Sequence, residues 1–225
     1  MRGIFVTGTD TEVGKTVLAA SIIAAATARG MRVAAYKPVV TGLDEPVVDW
    51  PRDHELLASV ANAGQMPEDV APYRYGPAVS PHLAAELAGD RVDPERLIAH
   101  AHAQASRAEA LVAEGVGGLL VPLSHDYLVR DLAGELSLPV VIAARPGLGT
   151  ISHTLLTIEA ARAVALRIQG VVLTPWPHTP SAMQESNRQT IARFADVPVY
   201  TLPPTEPARL TEAGAALPVS DWLAP

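Results

Sequence analysis

The segment Gly8–Thr16, which reads GTDTEVGKT, constrains the fold of this chain more than any other part of the sequence. It follows the apolar, β-branched run Gly3–Gly8 and opens a long helical run rich in alanine and isoleucine. A glycine-bearing loop between a strand and a helix is typical of phosphate binding, because backbone N–H groups and the helix N-terminus can surround phosphate oxygens. Lys15 can reach the terminal phosphates and Thr16 can bind Mg²⁺, although five residues instead of the usual four separate the two glycines. The segment therefore predicts nucleotide binding.

Short apolar strands alternate with longer helical segments along the chain, which predicts a mainly parallel sheet covered by helices on both faces. Strands are predicted at Gly3–Gly8, Met31–Lys37, Ala110–Glu114, Leu119–Leu123, Val140–Ala144, Gly170–Thr174 and Val197–Leu202. Helices are predicted at Lys15–Arg29, from Ser80-Pro81 to about Gly89, from Asp93-Pro94 onward, and at 151–167. We expect a single-domain, doubly wound α/β fold of the phosphate-loop NTPase type over residues 1–225, with ligands at the carboxyl ends of the strands.

Charge and composition exclude several classes of partner. The net charge of −7 produces repulsion between this protein and nucleic acid or an anionic membrane surface. The chain has no cysteine, so disulfides, thiolate metal sites and cysteine nucleophiles are excluded, and the composition fits a reducing cytoplasm. No targeting segment is expected, because the first predicted strand begins at Gly3. We expect a cytoplasmic protein that binds small molecules, without a nucleic-acid or membrane partner.

Three polar residues beyond the loop are candidates for the same site, because each is expected at or after the carboxyl end of a strand. Lys37 lies in YKPVVTG and would place a second cation beside the phosphates, although a lysine at a strand end is equally often just solvated. Asp53 precedes an apolar helical run, where capping the helix is its more ordinary role. Glu114 is followed by glycines at a strand end, a placement typical of a Walker-B carboxylate. With Thr16, the two carboxylates would suffice for Mg²⁺ if the fold brings them together.

Taken together, these segments resemble the dethiobiotin synthetase family. The resemblance is carried by GTDTEVGKT, YKPVVTG, SPH at 80–82, EGVGG at 114–118 and LGTISHT at 148–154, and it extends from about Gly3 to about Gly170. It implies an enzyme of biotin synthesis that carboxylates 7,8-diaminopelargonic acid with CO₂ and phosphorylates the carbamate with MgATP. The resulting carbamic-phosphoric anhydride would close to the cyclic urea dethiobiotin, with release of ADP and phosphate.

The resemblance also implies roles for individual residues. The implied catalytic residues are Lys37, whose charge would favour carbamate formation and phosphoryl transfer, together with Lys15 and Thr11. The implied magnesium ligands are Thr16, Asp53 and Glu114. The residues implied in nucleotide binding are Glu12, Val13, Gly14, Lys15, Thr16, Val17, Asp53, Glu114, Gly115, Val116, Gly117, Thr174, Pro175, Pro203, Pro204 and Thr205. The residues implied near the diamine substrate and its carboxylate are Thr41, Ser80, Gly149, Thr150 and Ser152.

The start of the predicted helix 151–167 is a candidate binding site for a carboxylate at a subunit interface. Free N–H groups at its N-terminus could bind a carboxylate, and an ordinary helix cap is the alternative. In the family this helix start meets the carboxylate tail of a substrate bound to the neighbouring subunit, so the resemblance implies a homodimer with sites at its interface. Ser152 stands where an asparagine is usual, which weakens the expectation for that one contact.

Two other functions use similar loops. A partition-type ATPase would act through dimerisation and a membrane-binding tail, but residues 210–225 contain no basic amphipathic helix. An amidoligase of the cobyrinic or cobyric acid type needs a glutaminase domain. The chain after residue 170 is too short for that domain, and it has no cysteine nucleophile. The sequence therefore disfavours both alternatives.

The base preference of the nucleotide site is expected to be relaxed. The family usually has an asparagine after the strand Gly170–Leu173, where this chain has Thr174-Pro175. Asparagine both donates to and accepts from the adenine edge, whereas threonine has one short hydroxyl and proline has no N–H. Backbone groups of Pro203–Thr205 are the alternative reader of the base.

Because a bidentate base contact is worth about 1–3 kcal/mol of discrimination, other nucleoside triphosphates should compete with ATP. We expect kcat/KM for GTP, UTP and especially CTP to lie within about a hundred-fold of that for ATP, at fixed diamine and bicarbonate. An ATP preference of about a thousand-fold or more would show that backbone groups read adenine without the asparagine.

Overall fold

The structure is a computed structural model that describes residues 1–224. Its strands are β1 (Gly3–Gly8), β2 (Val33–Tyr36), β3 (Val39–Val40), β4 (Tyr73–Arg74), β5 (Ala110–Gly118), β6 (Pro122–Ser124), β7 (Tyr127–Leu128), β8 (Val140–Ala144), β9 (Ile168–Leu173) and β10 (Val199–Thr201). Its helices are α1 (Lys15–Ala28), α2 (Asp53–Val60), α3 (Pro67–Val70), α4 (Pro81–Leu87), α5 (Pro94–Ala105), α6 (Val129–Glu135), α7 (Thr150–Arg162), α8 (Ala182–Ala195), α9 (Leu210–Ala215) and α10 (Val219–Trp222), with a 3₁₀ turn at Pro207–Arg209.

Six strands form one sheet in the order β10-β9-β8-β1-β5-β2, and all neighbouring pairs are parallel. Two short pairs accompany it, the parallel pair β3-β4 and the antiparallel pair β6-β7. The predicted doubly wound, mainly parallel α/β fold is confirmed. Because the six strands run the same way, their carboxyl ends meet along one edge of the sheet, where ligands of such folds bind.

Both faces of the sheet are buried, which explains the nearly continuous apolar strands. Alternate residues of a strand point to opposite faces, so Ile4 and Val6 pack against α1, α2, α9 and α10. Phe5 points the other way and packs in a cluster with α4, α5 and α6. A third cluster joins β8 and β9 to α7 and α8. Burial on both faces fixes the register of β1, whose last residue begins the predicted phosphate loop.

Amide side chains cover the edge strand β2. Asn62 accepts from the N–H of Val33 at 2.8 Å, and Gln65 bonds to both backbone groups of Ala35 at 2.7 and 2.8 Å. These contacts satisfy backbone groups that an edge strand leaves unpaired. Directly after β2, the N–H of Lys37 donates to the carbonyl of the last residue of α3 at 2.9 Å. The backbone at this lysine is therefore fixed by its neighbours.

Two predicted segments differ from the structure. The strand predicted at Leu119–Leu123 does not join the sheet, because Gly117 adopts a left-handed φ of 60° and the chain turns away into the β6-β7 hairpin. The helix predicted at 151–167 ends at Arg162, where Ala165 with φ 55° reverses the chain and the N–H of Leu166 returns to an earlier carbonyl. An ending of this kind uses left-handed backbone to satisfy the last helical carbonyls.

The C-terminal helices α9 and α10 pack on α1 and bury Leu210, Leu217 and Trp222 in the core. This segment is thus part of the fold rather than a separate tail. Within residues 1–224, no helix combines the length and the apolar character that crossing a bilayer requires. The close approach of α9 to α1 depends on Gly214, because a Cβ atom there would collide with the carbonyl oxygen of Ser21.

This contact predicts a stability difference between two glycine-to-alanine substitutions. Gly214→Ala should lower the free energy of unfolding by about 1–3 kcal/mol, because α9 must shift from α1 to admit the methyl group. Gly134→Ala is the matched control, since this glycine is exposed in α6 and an added Cβ would meet no atom within 4 Å. It should be neutral or stabilise by up to about 1 kcal/mol through backbone entropy. Chemical denaturation measures both, and equal midpoints would contradict the close packing of α9.

Candidate active site

A cleft of about 730 Å³ opens at the carboxyl ends of β1, β2 and β5. One wall is the predicted phosphate loop and the start of α1, and the opposite wall is the segment before α4. The predicted site residues that line it are Thr11, Glu12, Gly14, Lys15, Thr16, Val17, Lys37, Thr41, Asp53, Ser80, Glu114, Val116 and Gly117. One cleft therefore brings together most residues that the sequence assigns to nucleotide, metal and diamine.

The shape of the phosphate loop depends on two residues with left-handed backbone conformations. Gly14 has φ 84° and precedes α1, and Glu12 has φ 52°, which is uncommon for a residue with a side chain. At the base of the loop, the N–H of Thr9 donates to the carbonyl of Ala143 in β8 at 3.0 Å. Alternating backbone of this kind turns successive N–H groups toward one side, where they can surround an anion.

Lys15 is buried at the floor of the loop, and its Nζ donates to the carbonyl oxygen of Asp10 at 2.6 Å. Burial lowers the pKa of Lys15 to about 8, and the nearby charge of Lys37 acts in the same direction. A phosphate would stabilise the charged form of such a lysine, because an opposite charge offsets both effects. Lys15 is therefore suited to hold an anion.

Four side chains meet at the centre of the cleft. Lys37 Nζ lies 2.5 Å from Asp53 Oδ2 and 2.6 Å from Glu114 Oε1. Thr16 Oγ1 lies 2.9 Å from Asp53 Oδ1 and 2.9 Å from Glu114 Oε1, so its single hydroxyl proton can be donated to either carboxylate. The four come from distant parts of the sequence. Thr16 and Asp53 stand in the first turns of α1 and α2, while Lys37 follows β2 and Glu114 lies in the neighbouring strand β5. The interpretation of Lys37 as a solvated lysine is wrong, since it is only 4% exposed.

The protonation states follow from burial and from the mutual contacts. Burial by itself would lower the pKa of Lys37, but Asp53 and Glu114 raise it well above its usual value. Burial raises the pKa of Glu114, and Lys37 opposes that rise. Burial also opposes ionisation of Asp53, yet Lys37 and Thr16 hold the pKa of this carboxyl below its usual value. Lys37 is thus a permanent cation at physiological pH.

The same oxygens fit a magnesium ion. Mg²⁺ prefers hard oxygen ligands and takes few of them from protein, with phosphate and water completing the octahedron. Thr16 Oγ1 and the carboxylates of Asp53 and Glu114 converge, and Glu114 Oε2 is buried without a hydrogen-bond partner. Across residues 1–224, no group of three or more His, Asp or Glu side chains forms a metal site by itself. A divalent ion here would depend on the nucleotide for further ligands.

Asp53 does not cap its helix, so the capping interpretation is wrong. Arg52 occupies the N-cap position of α2, and Asp53 is the first helical residue, with its carboxylate directed at Thr16 and Lys37. Sequence reasoning missed the apolar walls of the cleft, which include Trp50, Val79 and Val121. Val79 could have been found from its position beside Ser80, whereas no sequence signal marks Trp50.

Several predicted residues lie outside this cleft. The side chain of Val13 is buried in the core, so only its backbone could meet a ligand, and Gly115 lies inside β5 against Phe5. The helix-start residues that do not line the cleft within one chain are Gly149, Thr150 and Ser152. They lie next to a separate groove of about 470 Å³, which His153 and Leu156 of α7 line.

The predicted base-binding residues lie at the ends of β9 and β10. Thr174 is buried and donates its N–H to the carbonyl of Ala144 at 2.9 Å. Its methyl group packs closely against Gly14 of the phosphate loop, because a Cβ atom added to Gly14 would lie only 3.0 Å from it. A hydrogen bond of 2.7 Å from the N–H of Trp176 to the carbonyl of Leu202 joins this loop to the segment that contains the other predicted base contacts, Pro203, Pro204 and Thr205. The two segments are neighbours beside the phosphate loop.

Comparisons with known proteins agree with this arrangement. The family model AAA_26, an AAA domain, matches residues 2–208. The ATP-dependent dethiobiotin synthetase BioD of Bacillus subtilis (strain 168) is 36% identical over 204 residues, which are 91% of this chain and 87% of that protein. The BioD protein of Anaeromyxobacter dehalogenans (strain 2CP-1) is 41% identical over 207 residues, which are 92% of each chain.

Solved structures resemble the fold at much lower sequence identity. The cell division ATPase MinD of Pyrococcus furiosus superimposes with a TM-score of 0.60 at 18% identity, covering 99% of this chain and 98% of that one. A ParA family ATPase from Chlorobium tepidum TLS gives a TM-score of 0.52 at 14% identity, covering 98% and 94%. At these identities the likeness concerns the phosphate-loop NTPase fold alone.

Proposed function

The chain belongs to the ATP-dependent dethiobiotin synthetase family, and from that premise we propose how its cleft carries out the reaction. The protein is an ATP-dependent ligase of biotin biosynthesis, which converts 7,8-diaminopelargonic acid and CO₂ to dethiobiotin through a carbamate and its mixed anhydride with phosphate. One observation carries the mechanism. Thr16, Lys37, Asp53 and Glu114 converge between the phosphate loop and the segment with Thr41 and Ser80.

The reaction joins two anions, and the cations of the cleft offset their repulsion. An amine of the diamine attacks CO₂ and loses a proton, and a carbamate oxygen then attacks the terminal phosphorus of ATP as ADP leaves. Lys15 and Lys37 lie where they can stabilise negative charge on the carbamate and on the transferred phosphoryl group. Lys37 acts as a fixed cation and not as a base, because its carboxylate neighbours keep it protonated. Attack of the second amine on the carbamoyl carbon closes the ring and releases phosphate.

Magnesium is part of this proposal. Thr16, Asp53 and Glu114 would hold Mg²⁺, which when bound neutralises charge on the phosphates and orients them. The buried, unpaired Oε2 of Glu114 supports this assignment, because an ionised oxygen without a partner in the interior is costly. Thr11 and the backbone of 12–17 would bind the phosphates.

The diamine is proposed to bind at the wall formed by Thr41 and Ser80. These hydroxyls can accept hydrogen bonds from amino groups, while Val39 and Val79 offer apolar surface to the alkyl chain. Val116 and Gly117, which line the cleft after Glu114, would lie between the diamine and the nucleotide. Thr174-Pro175 and 203–205 are proposed as the base site, with the relaxed preference expected above.

A homodimer would complete the site. Leu120 and Leu156, which are 53% and 65% exposed, line the groove beside α7, and Leu148, which is 92% exposed, lies just before this helix. We take these exposed leucines as apolar surface that a partner subunit could cover. In a dimer, Gly149, Thr150 and Ser152 would meet the carboxylate of the substrate bound to the partner. We further propose that residues 1–225 act as one domain in the cytoplasm, of which residue 225 lies outside the described part.

Product formation tests the proposal. Purified protein is incubated with the diamine, bicarbonate, ATP and Mg²⁺, and the cyclic urea is detected by mass spectrometry. Product should form in the complete mixture and should be lost when the divalent ion is removed with a chelator. Folded protein that makes no product would overturn the proposed mechanism, whereas product without any divalent ion would overturn only the metal assignment.

Substitution of Lys37 separates chemistry from nucleotide binding. Lys37→Gln removes the charge but keeps an N–H donor for Glu114, so it disturbs the buried carboxylate less than alanine would. We expect turnover to fall about 10²-fold or more, the scale of losing one preorganised charge stabiliser, with nucleotide affinity changed only a few-fold. Steady-state kinetics and calorimetry measure the two effects. Equal losses of affinity and turnover would instead identify Lys37 as a general phosphate anchor.

A further inference from the structure

The phosphate loop is braced from outside by a residue that belongs to neither the loop nor the cleft. Arg145 follows β8, and its guanidinium donates to the carbonyl of Glu12 from Nη2 at 3.1 Å and from Nε at 3.3 Å. Nη2 also donates to the carbonyl of Thr11 at 3.4 Å and lies 3.7 Å from the Glu12 carboxylate. We propose that Arg145 is a positioning residue for nucleotide binding, which acts by holding these two peptide groups in the phosphate-accepting orientation.

The geometry of the peptide group gives the reason. In a trans peptide the C=O and the following N–H point in opposite directions. When Arg145 holds the carbonyls of Thr11 and Glu12 outward, the N–H groups of Glu12 and Val13 point the other way, into the loop. Reversal of either peptide would direct a carbonyl dipole at the phosphates, which would repel them.

The loop needs such a brace because its backbone is strained. Glu12 adopts φ 52°, a left-handed conformation that is unfavourable for a residue with a side chain. No glycine relieves this cost at position 12, so contacts from outside must favour the conformation. Arg145 also pairs with the Glu12 carboxylate, which would otherwise add a negative charge near the phosphates.

Arg145 is itself held in place. It directly follows β8, and the buried side chain of Asn187 in α8 donates to the carbonyls of Pro146 and Gly147, at 3.2 Å each. The segment is thus anchored by a polar group in the interior, while the guanidinium reaches across to the loop. The Arg145 side chain is 55% exposed, so water competes for its contacts and a moderate effect is expected.

The inference rests on the proposed nucleotide site, and binding of MgADP measured by calorimetry tests it separately from catalysis. Arg145→Met should raise Kd for MgADP about ten-fold, the equivalent of about 1.4 kcal/mol, while kcat at saturating nucleotide changes no more than about two-fold. Arg145→Lys should recover part of the affinity, because an ammonium can hold one carbonyl but not two with planar geometry. Arg29→Met is the matched control, since Arg29 is exposed at the opposite end of α1.

The outcomes distinguish a failure of the positioning role of Arg145 from a failure of the proposed nucleotide site. If Arg145→Met binds MgADP as tightly as Arg29→Met, or loses kcat at unchanged Kd, the positioning role is wrong. A lower melting temperature at unchanged Kd would also overturn it, because the arginine would then serve only the stability of the fold. Wild-type protein that fails to bind MgADP would overturn the nucleotide site, and the role of Arg145 with it.

Discussion

The contact between the Lys37 ammonium and the carboxylates of Glu114 and Asp53 is the interaction on which the site depends. Lys37 and Glu114 are buried, and burying either charge alone would be costly, so the two require each other. Asp53, whose side chain is 42% exposed, adds a second negative charge beside the ammonium. Their meeting requires that β2 lie beside β5 and that α2 begin opposite the phosphate loop. Removing the charge of Lys37 would leave the buried Glu114 carboxylate without its cation. The polar centre of the cleft therefore specifies the arrangement of three elements that are distant in sequence.

The buried ammonium also defines what kind of chemistry this edge of the sheet can perform. A lysine kept protonated by two carboxylates is unsuited to accept protons, and it is well suited to stabilise developing negative charge. Lys15 has a lowered pKa and stands at the floor of an anion-binding loop, so the two lysines differ in environment although they are neighbours. A reaction that brings a carbamate to a triphosphate needs cations of this kind on both sides of the transferred group.

The fold by itself would have suggested several functions. MinD and ParA ATPases share the architecture with TM-scores of 0.60 and 0.52, yet they share only 18% and 14% of aligned residues. The polar side chains of this chain's cleft, among them Lys37, Thr41 and Ser80, are carried by the loops and helix starts around the sheet edge. The C-terminal helices also differ from a membrane-binding tail, because their apolar residues are buried against α1. Function is thus decided by side chains at one edge of a widely used sheet.

The sequence by itself determined the alternation of elements, the phosphate loop and the family, because these depend on local patterns of apolar residues, glycines and short motifs. It correctly indicated that Lys37 follows a strand, whereas Glu114, which was expected at a strand end, lies inside β5 (Ala110–Gly118). The sequence left the role of Lys37 undecided and favoured a helix cap for Asp53. Only the tertiary structure decided both, since the contacts join residues 16, 37, 53 and 114 across strands that pair out of sequence order. The role of Arg145 could not be predicted from the sequence for the same reason. Its contacts with the loop span more than a hundred residues, and no local pattern records which backbone carbonyls an exposed arginine will reach.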